Sequence, residues 1–225
     1  MKKIGLLVAV EMDAVLTRYG APQETQQVDG FEVLRYENES YTVFAVNAGA
    51  GEIAAAAATQ LLISVFHVDL LVNFGVVGGL TEDMAMARTV VVESVVHYDF
   101  DVSDWIGVET GRYMQYPSPH IPTTPELVEK ACAIEPSLRR VICASADKFI
   151  GTEEKKRALH ERWQADICEM EAAGIVLTCA RCGVPCLLIK TVSDAISGGA
   201  EDFNRELDRS AGICLAIADK IIREL

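Results

Sequence analysis

Residues 70–79, LLVNFGVVGG, indicate the architecture of this chain. The run Leu70–Asn73 is short and almost entirely apolar, which is typical of a strand buried on both faces of a parallel sheet. The segment Gly75–Gly79 follows it directly. Glycines at the carboxyl end of a parallel strand let a ligand approach the backbone, although a plain turn is the simpler explanation of the same residues.

The segments on either side alternate between strands and helices. Further strands are expected at Ile4–Val10, Thr89–Ser94, Val141–Ala144 and Cys186–Thr191, with a hairpin at Phe31–Tyr36 and Tyr41–Val46. Helices are expected at Gly51–Phe66, Glu153–Arg162, Glu169–Cys182 and from about Glu201 to the end. This alternation predicts a single α/β domain, residues 1–225, with a mixed twisted central β-sheet flanked by helices on both faces.

Composition excludes several classes of partner. The 225 residues include 33 acidic and 20 basic side chains, a net charge of −13. Such a charge repels both nucleic acid and anionic membrane surfaces, so neither is expected as a partner. The odd number of cysteines, seven, indicates reduced thiols and a cytoplasmic protein. The first apolar run is not expected to be a signal peptide, because Glu11 and Asp13 follow it at once.

Two motifs suggest a cofactor or a metal, and both interpretations are weak. Residues 49–54, GAGEIA, match the dinucleotide pattern G-x-G-x-x-A, but Asp69 begins the next strand instead of ending it, where a ribose would lie. A tight turn before a helix still suits an anion or a sugar hydroxyl. The cysteines at 179, 182 and 186 lack a fourth ligand at zinc-site spacing. We therefore expect no cofactor and no metal.

Acidic residues follow several predicted strands or begin helices: Asp13, Asp99, Asp101, Glu169, Glu171 and Asp194. Such residues are often helix caps or solvated charges. In a parallel sheet, however, the carboxyl ends of the strands converge on one crevice. The pattern therefore favours acid/base chemistry on a small polar ligand.

The segment Val102–Pro125 is unusually long for a loop in a compact domain. It carries four prolines and several apolar side chains, among them Trp105 and Met114. A simple surface loop is an equally good explanation of its length. Exposed aromatic residues in a loop stiffened by prolines, however, more often mark an interface. We expect this loop to contact a second copy of the chain.

Seven segments in order resemble one known superfamily. They are Lys3–Leu7 with Glu11 and Asp13, Gly49–Gly51, Asn73–Gly79, Asp99–Val102, Phe149–Gly151, Glu169–Ala172, and Ser193 with Asp194. Together they span nearly the whole chain and resemble the purine nucleoside phosphorylases and nucleosidases. Within this superfamily, the chain is most similar to the 5′-methylthioadenosine/S-adenosylhomocysteine nucleosidases. The resemblance implies a nucleoside phosphorylase-like fold, a homodimer, and cleavage of a ribosyl–purine bond without a cofactor.

The resemblance also implies roles for individual residues. Asp194 would protonate or hydrogen-bond purine N7, Asp13 would orient the attacking water, and Glu171 would bind the ribose hydroxyls. The remaining expected substrate-binding residues are Phe149 stacked on the base, Ile150 at its edge, Met170 at the ribose, Val102 in the base pocket, and Glu169, Ser193 and Gly78. These roles fit the chemistry, because a ribosyl cation needs a nearby carboxylate and a purine leaves poorly without a proton.

The chain departs from the family pattern at three places. Asp13 stands where Glu is usual, with Glu11 as an alternative; Val76 replaces a Ser; and Lys190 replaces an Arg. A phosphorylase or a catalytically weak nucleoside-binding module are the alternative functions. The acidic turn Glu11–Asp13 and the lack of basic residues in Asn73–Gly79 favour water over phosphate as the nucleophile.

Overall fold

Ten strands pair into one mixed β-sheet in the computed structural model, which describes all residues from 1 to 225. They are β1 (Lys2–Val8), β2 (Glu24–Val28), β3 (Phe31–Glu37), β4 (Tyr41–Asn47), β5 (Leu70–Gly79), β6 (Thr89–His97), β7 (His120–Pro122), β8 (Arg139–Ser145), β9 (Ile167–Glu169) and β10 (Cys186–Asp194). This confirms the predicted α/β class with a mixed central sheet.

Seven helices pack on this sheet. They are α1 (Met12–Tyr19), α2 (Glu52–Ser64), α3 (Ser103–Ile106), α4 (Pro125–Ile134), α5 (Glu153–Trp163), α6 (Ala172–Cys182) and α7 (Ala200–Glu224). Helices α2 and α6 contribute to one large apolar core, and α1, α4 and α7 contribute to a second core on the other side of the sheet. None of the seven is both long and apolar enough to span a bilayer.

Part of the sheet closes into a ring of five strands. Strand β5 pairs with β10, β10 with β6, β6 with β8, β8 with β9, and β9 returns to β5. The other side of β5 begins the open extension β1-β4-β3-β2. The carboxyl ends of β1, β5 and β10 therefore lie together, because these three strands run parallel.

The glycine-rich segment after Asn73 continues β5 instead of forming a turn. All ten residues of β5 are buried, and the glycines permit close packing there. A Cβ atom on Gly79 would lie 2.5 Å from the carbonyl oxygen of Met84, and one on Gly75 would lie 2.7 Å from Oε1 of Glu11. The glycines at these positions are thus required by close approach.

Three further boundaries differ from the sequence predictions. The predicted helix Glu169–Cys182 begins only at Ala172, as α6, because Glu169 is the last residue of the strand β9. The long segment Val102–Pro125 contains α3 and β7, the latter paired with β6. Strand β2 was not predicted, because its sequence Glu24–Val28 is polar and it lies at the exposed edge of the sheet.

Candidate active site

A cavity opens at the carboxyl ends of β1, β5 and β10. Four carboxylates line it: Glu11 before α1, Glu169 at the end of β9, Glu171 before α6, and Asp194 at the end of β10. Two of the four, Glu171 and Asp194, are predicted catalytic residues. Of the six acidic residues expected at this crevice, Glu169, Glu171 and Asp194 line the cavity, and Asp13, Asp99 and Asp101 do not.

Asp194 accepts hydrogen bonds from two side-chain donors. Lys156 Nζ donates to its Oδ2 at 2.6 Å, and Ser193 Oγ donates to its Oδ1 at 3.0 Å. Burial raises the pKa of Asp194 above its usual value, while the ammonium of Lys156 opposes that shift. Asp194 is thus a carboxyl group whose proton affinity depends on two opposed effects.

Lys156 is a functional residue that the sequence did not reveal. It is fully buried and also donates to the carbonyl oxygens of Asp194, Ala195 and Gly198. In the sequence it lies within Glu153–Arg162, a polar segment in which every lysine suggests a solvated helix face. In such a polar helix, no apolar stripe marks the side that packs on the protein, so the sequence does not show that one lysine points inward.

Glu171 is oriented by the glycine turn that precedes α2. Its Oε1 accepts a hydrogen bond from the backbone N–H of Gly51 at 2.8 Å. Burial, reinforced by the negative charge of Glu169, raises the pKa of Glu171 to about 7, although Lys190 acts in the opposite direction. The next amide, that of Glu52, donates to Asp147 at 2.7 Å. Protein carboxylates thus use both amides of this turn, in keeping with the rejection of a dinucleotide site.

The structure corrects the prediction for Asp13. Asp13 is exposed in the first turn of α1 and lines a separate depression between α1 and α7. Glu11 occupies the cavity instead, with its Oε2 accepting from the backbone N–H of Val10 at 2.9 Å and its Oε1 from that of Val76 at 3.0 Å. The helix begins at Met12, and a rotation of about 100° per residue turns Asp13 away.

The predicted base- and ribose-binding side chains surround the rest of the cavity. The lining includes Phe149, Ile150, Met170 and Gly78, as expected. Phe203 of α7 also lines it, and its ring meets the Phe149 ring edge-on with 5.6 Å between the ring centroids. A Cβ on residue 78 would lie 3.2 Å from Asp194 Oδ2, so glycine leaves that carboxylate accessible.

Three other predicted binding residues have different placements. Glu169 lines the cavity but pairs with the buried Lys190 at 3.2 Å. Ser193 lies behind Asp194 and supports it instead of lining the cavity. Val102 precedes α3 and is not among the residues of the same chain that line the cavity, so its place in a base pocket stays a prediction. Val76, the residue in place of a family Ser, does line the cavity.

Comparison with known proteins places this cavity in context. The family model of the phosphorylase superfamily matches residues 3–223. The chain is 30% identical to a 5′-methylthioadenosine/S-adenosylhomocysteine nucleosidase of Shewanella loihica, over 91% of this chain and 92% of that protein. It superimposes on the ligand-bound Helicobacter pylori enzyme of that name with a TM-score of 0.93 and 25% identity, over 100% and 99% of the two chains. The fold of Helicobacter pylori futalosine hydrolase is equally similar, with a TM-score of 0.94 and 24% identity over the whole of both chains.

Proposed function

This chain belongs to the phosphorylase superfamily, and from that premise we propose that it hydrolyses the N-glycosidic bond of a purine nucleoside, with 5′-methylthioadenosine and S-adenosylhomocysteine as substrates. The observation that carries the proposal is the meeting of Glu11, Glu171 and Asp194 in one cavity beside an aromatic side chain. Glu11, Glu171 and Asp194 supply the acid and base groups, and Phe149 supplies the surface for a purine.

Asp194 assists departure of the purine. A purine anion leaves poorly, so its N7 must receive a proton as the bond to ribose breaks. Asp194 takes up a proton before the reaction, donates it to the purine and returns to the carboxylate form, which the ammonium of Lys156 and the hydroxyl of Ser193 stabilise in the free protein. Their hydrogen bonds strengthen as the charge develops, which is how a preorganised site lowers a barrier.

Glu171 and Glu11 act on the ribose side. Cleavage builds positive charge on the sugar, as in glycoside hydrolysis. The Glu171 carboxylate binds the ribose hydroxyls and stabilises that charge. Glu11, fixed by the amides of Val10 and Val76, accepts a hydrogen bond from the attacking water and then its proton.

Water is favoured over phosphate as the nucleophile. Lys148 is the only basic side chain that lines the cavity, and its Nζ pairs with Asp99 at 2.7 Å. A phosphate dianion would enter beside Glu11 and Glu171 and be repelled by both. The products are therefore free purine and a ribose that keeps its 5′ substituent.

Product analysis tests this proposal directly. A panel of 5′-methylthioadenosine, S-adenosylhomocysteine, adenosine, inosine and futalosine is incubated in phosphate buffer and in a phosphate-free buffer of equal ionic strength. We expect adenine release from the first two, at the same rate in both buffers. A ribose-1-phosphate product, or a rate that saturates with phosphate, would identify a phosphorylase instead.

We further propose that the enzyme is a cytoplasmic homodimer in which Val102–Pro125 of one chain helps close the 5′ end of its partner's cavity. Trp105 is 82% exposed and Met114 is 70% exposed in this segment, which is unusual for large apolar side chains. All seven cysteines are free thiols, as expected in a reducing compartment.

A further inference from the structure

Glu52 is a buried carboxyl group that the proposed reaction does not use. It is the first residue of α2, and 8% of its surface is exposed. Its Oε1 lies 2.5 Å from Ser145 Oγ, and its Oε2 accepts a hydrogen bond from the backbone N–H of Gly174 in α6. Both partners are uncharged, so an ionised Glu52 would be a buried charge without a counterion.

The contacts of Ser145 require an additional proton in this cluster. Its hydroxyl oxygen accepts from the backbone N–H of Ala173 at 3.1 Å and lies 2.5 Å from Glu52 and 2.6 Å from Glu169. A hydroxyl has one hydrogen, so it can donate to only one of two carboxylates. The other short contact is a hydrogen bond only if that second carboxyl group carries a proton of its own.

Glu52, and not Glu169, is the group suited to hold that proton. Glu169 accepts from the ammonium of Lys190 at 3.2 Å and from the backbone amides of Glu171 and Ala172. These donors all stabilise a negative charge. Ser145 therefore donates to ionised Glu169 and accepts from neutral Glu52.

We propose that Glu52 is protonated at neutral pH and that this neutral carboxyl group is a positioning residue for Glu171. Two reciprocal hydrogen bonds connect the N-termini of α2 and α6. Glu52 of α2 accepts from the backbone N–H of Gly174 near the start of α6. Glu171 at the start of α6 accepts from the backbone N–H of Gly51 at the start of α2. Each carboxyl group satisfies an amide that the other helix leaves free. A change at Glu52 is therefore transmitted to Glu171.

The surroundings of Glu52 favour its neutral form. Burial, with the negative charges of Glu169 and Glu171, raises the pKa of Glu52 to about 8, although the hydrogen bond from the Gly174 N–H lowers it. The titratable and charged groups around it are Glu169 on β9, Glu171 before α6, Lys190 on β10, Cys143 on β8, His97 on β6, Arg181 on α6, and Asp147 and Tyr113 in loops. Ionisation would place a third negative charge beside Glu169 and Glu171.

Above this pH, ionised Glu52 can no longer donate to Ser145 and would repel Glu169. The start of α6 would shift, and Glu171 with it. If the proposed function is right, binding of the ribose weakens, so KM rises more than kcat falls as the pH exceeds about 8. Glu52→Gln keeps a donor for Ser145 and an acceptor for Gly174 without a titratable proton.

Two measurements test the protonation state without any enzymatic assay. The infrared difference spectrum between wild type and E52Q at neutral pH should contain the stretching band of one protonated carboxyl group. The melting temperature of wild type should fall relative to that of E52Q as the pH rises from 4.5 to about 8, because Glu52 stabilises most below its unfolded pKa and loses this contribution through its folded pKa. Glu126→Gln, an exposed first-turn position of α4, is the matched control and should show neither effect.

Kinetics then test the link to Glu171. We compare the ratio of KM at pH 9 to KM at pH 7 in the two proteins. This ratio should be at least about fivefold larger in wild type than in E52Q, because Glu52 is about 90% ionised at about one pH unit above its pKa. Equal ratios in the two proteins would overturn the positioning role even if the infrared band is present. Failure of the nucleosidase assay alone would refute the proposed function and leave the protonation result standing.

Other outcomes are equally decisive. A difference spectrum without a protonated carboxyl band would show that Glu52 is ionised and would overturn the proposal. Should E52Q fail to fold, Ser145→Ala replaces it: the band of a protonated Glu52 must shift in frequency, because its hydrogen-bond acceptor is lost. An unshifted spectrum in that variant would contradict the assignment.

Discussion

The buried pair of Asp194 and Lys156 couples the proposed proton transfer to the stability of the fold. Asp194→Asn removes the acid, so we expect purine release to slow by about 10²–10⁴-fold, roughly 3–5 kcal/mol in the barrier. Steady-state kinetics with 5′-methylthioadenosine measure this loss. A turnover within a few-fold of wild type would exclude Asp194 as the general acid.

The same substitution should also destabilise the protein. It leaves the fully buried ammonium of Lys156 without a counterion, which typically costs about 3–5 kcal/mol. Denaturant unfolding of Asp194→Asn, alone and combined with Lys156→Met, measures the effect. We expect the double variant to recover stability but not activity. Equal stability of the single and double variants would mean that Asp194 does not neutralise a buried charge on Lys156.

Glu171 should set the acidic limit of activity. It must be ionised to stabilise the ribosyl cation, and burial raises its pKa to about 7. Because protonation is favoured below that value, kcat/KM should decline by about tenfold per unit of pH at lower pH. A pH profile of kcat/KM provides the measurement, and a profile that stays level down to pH 5 would contradict this role.

The site residues that belong to a recognisable motif were predictable from the sequence. The charged residues whose role depends on being buried were not. Asp194 and Glu171 follow recognisable patterns at the ends of elements. Lys156 and Glu52 look like surface charges, because nothing in a single sequence shows that their side chains point inward. The choice between Glu11 and Asp13 depends on the residue at which α1 begins, and helix boundaries are uncertain by one or two residues.

At the scale of elements, the close contact between α2 and α6 is the feature that fixes Glu171. Gly174 makes it possible, because a Cβ there would lie 2.5 Å from the carbonyl oxygen of Glu52. Gly174→Ala should therefore push the helices apart, cost about 1–3 kcal/mol of stability, and raise KM. Gly212→Ala on α7 is the control: no heavy atom lies within 4 Å of its Cβ position.

The control should be neutral or slightly stabilising, since alanine is favoured over glycine within a helix by roughly 0.5–1 kcal/mol. Thermal melts and KM values of both variants check the prediction. If Gly174→Ala were as harmless as Gly212→Ala, the contact would be too loose to position Glu171.

A strand or helix was predictable from the sequence where its apolar residues are also the ones that are buried. Strands β1, β4 and β10 are apolar runs that were expected at nearly their observed places, whereas β5 was expected only over Leu70–Asn73 and continues to Gly79. Strand β2 and the three-residue strands β7 and β9 have no such pattern, since they form only by pairing with strands distant in sequence. The ring that these pairings complete is invisible to local analysis.

At the scale of the whole molecule, we expect a homodimer at micromolar concentration. Trp105→Glu should weaken it and raise KM, because the exposed segment around α3 would no longer cover the partner's cavity. Leu16→Glu, at a 42% exposed position on α1, is a matched control that should leave the dimer intact. Sedimentation velocity with parallel kinetics decides the matter, and a monomer with full activity would refute the dimer.

The ring of β5, β10, β6, β8 and β9 also determines how the molecule can open. A strand in an open sheet can detach from its edge, as β2 can at the end of the extension, but a closed ring offers no edge at which to begin. Hydrogen–deuterium exchange should then be fast in β2 and slow and concerted around the ring. Glu171 and Asp194, which both adjoin ring strands, would keep their spacing through every fluctuation short of global unfolding.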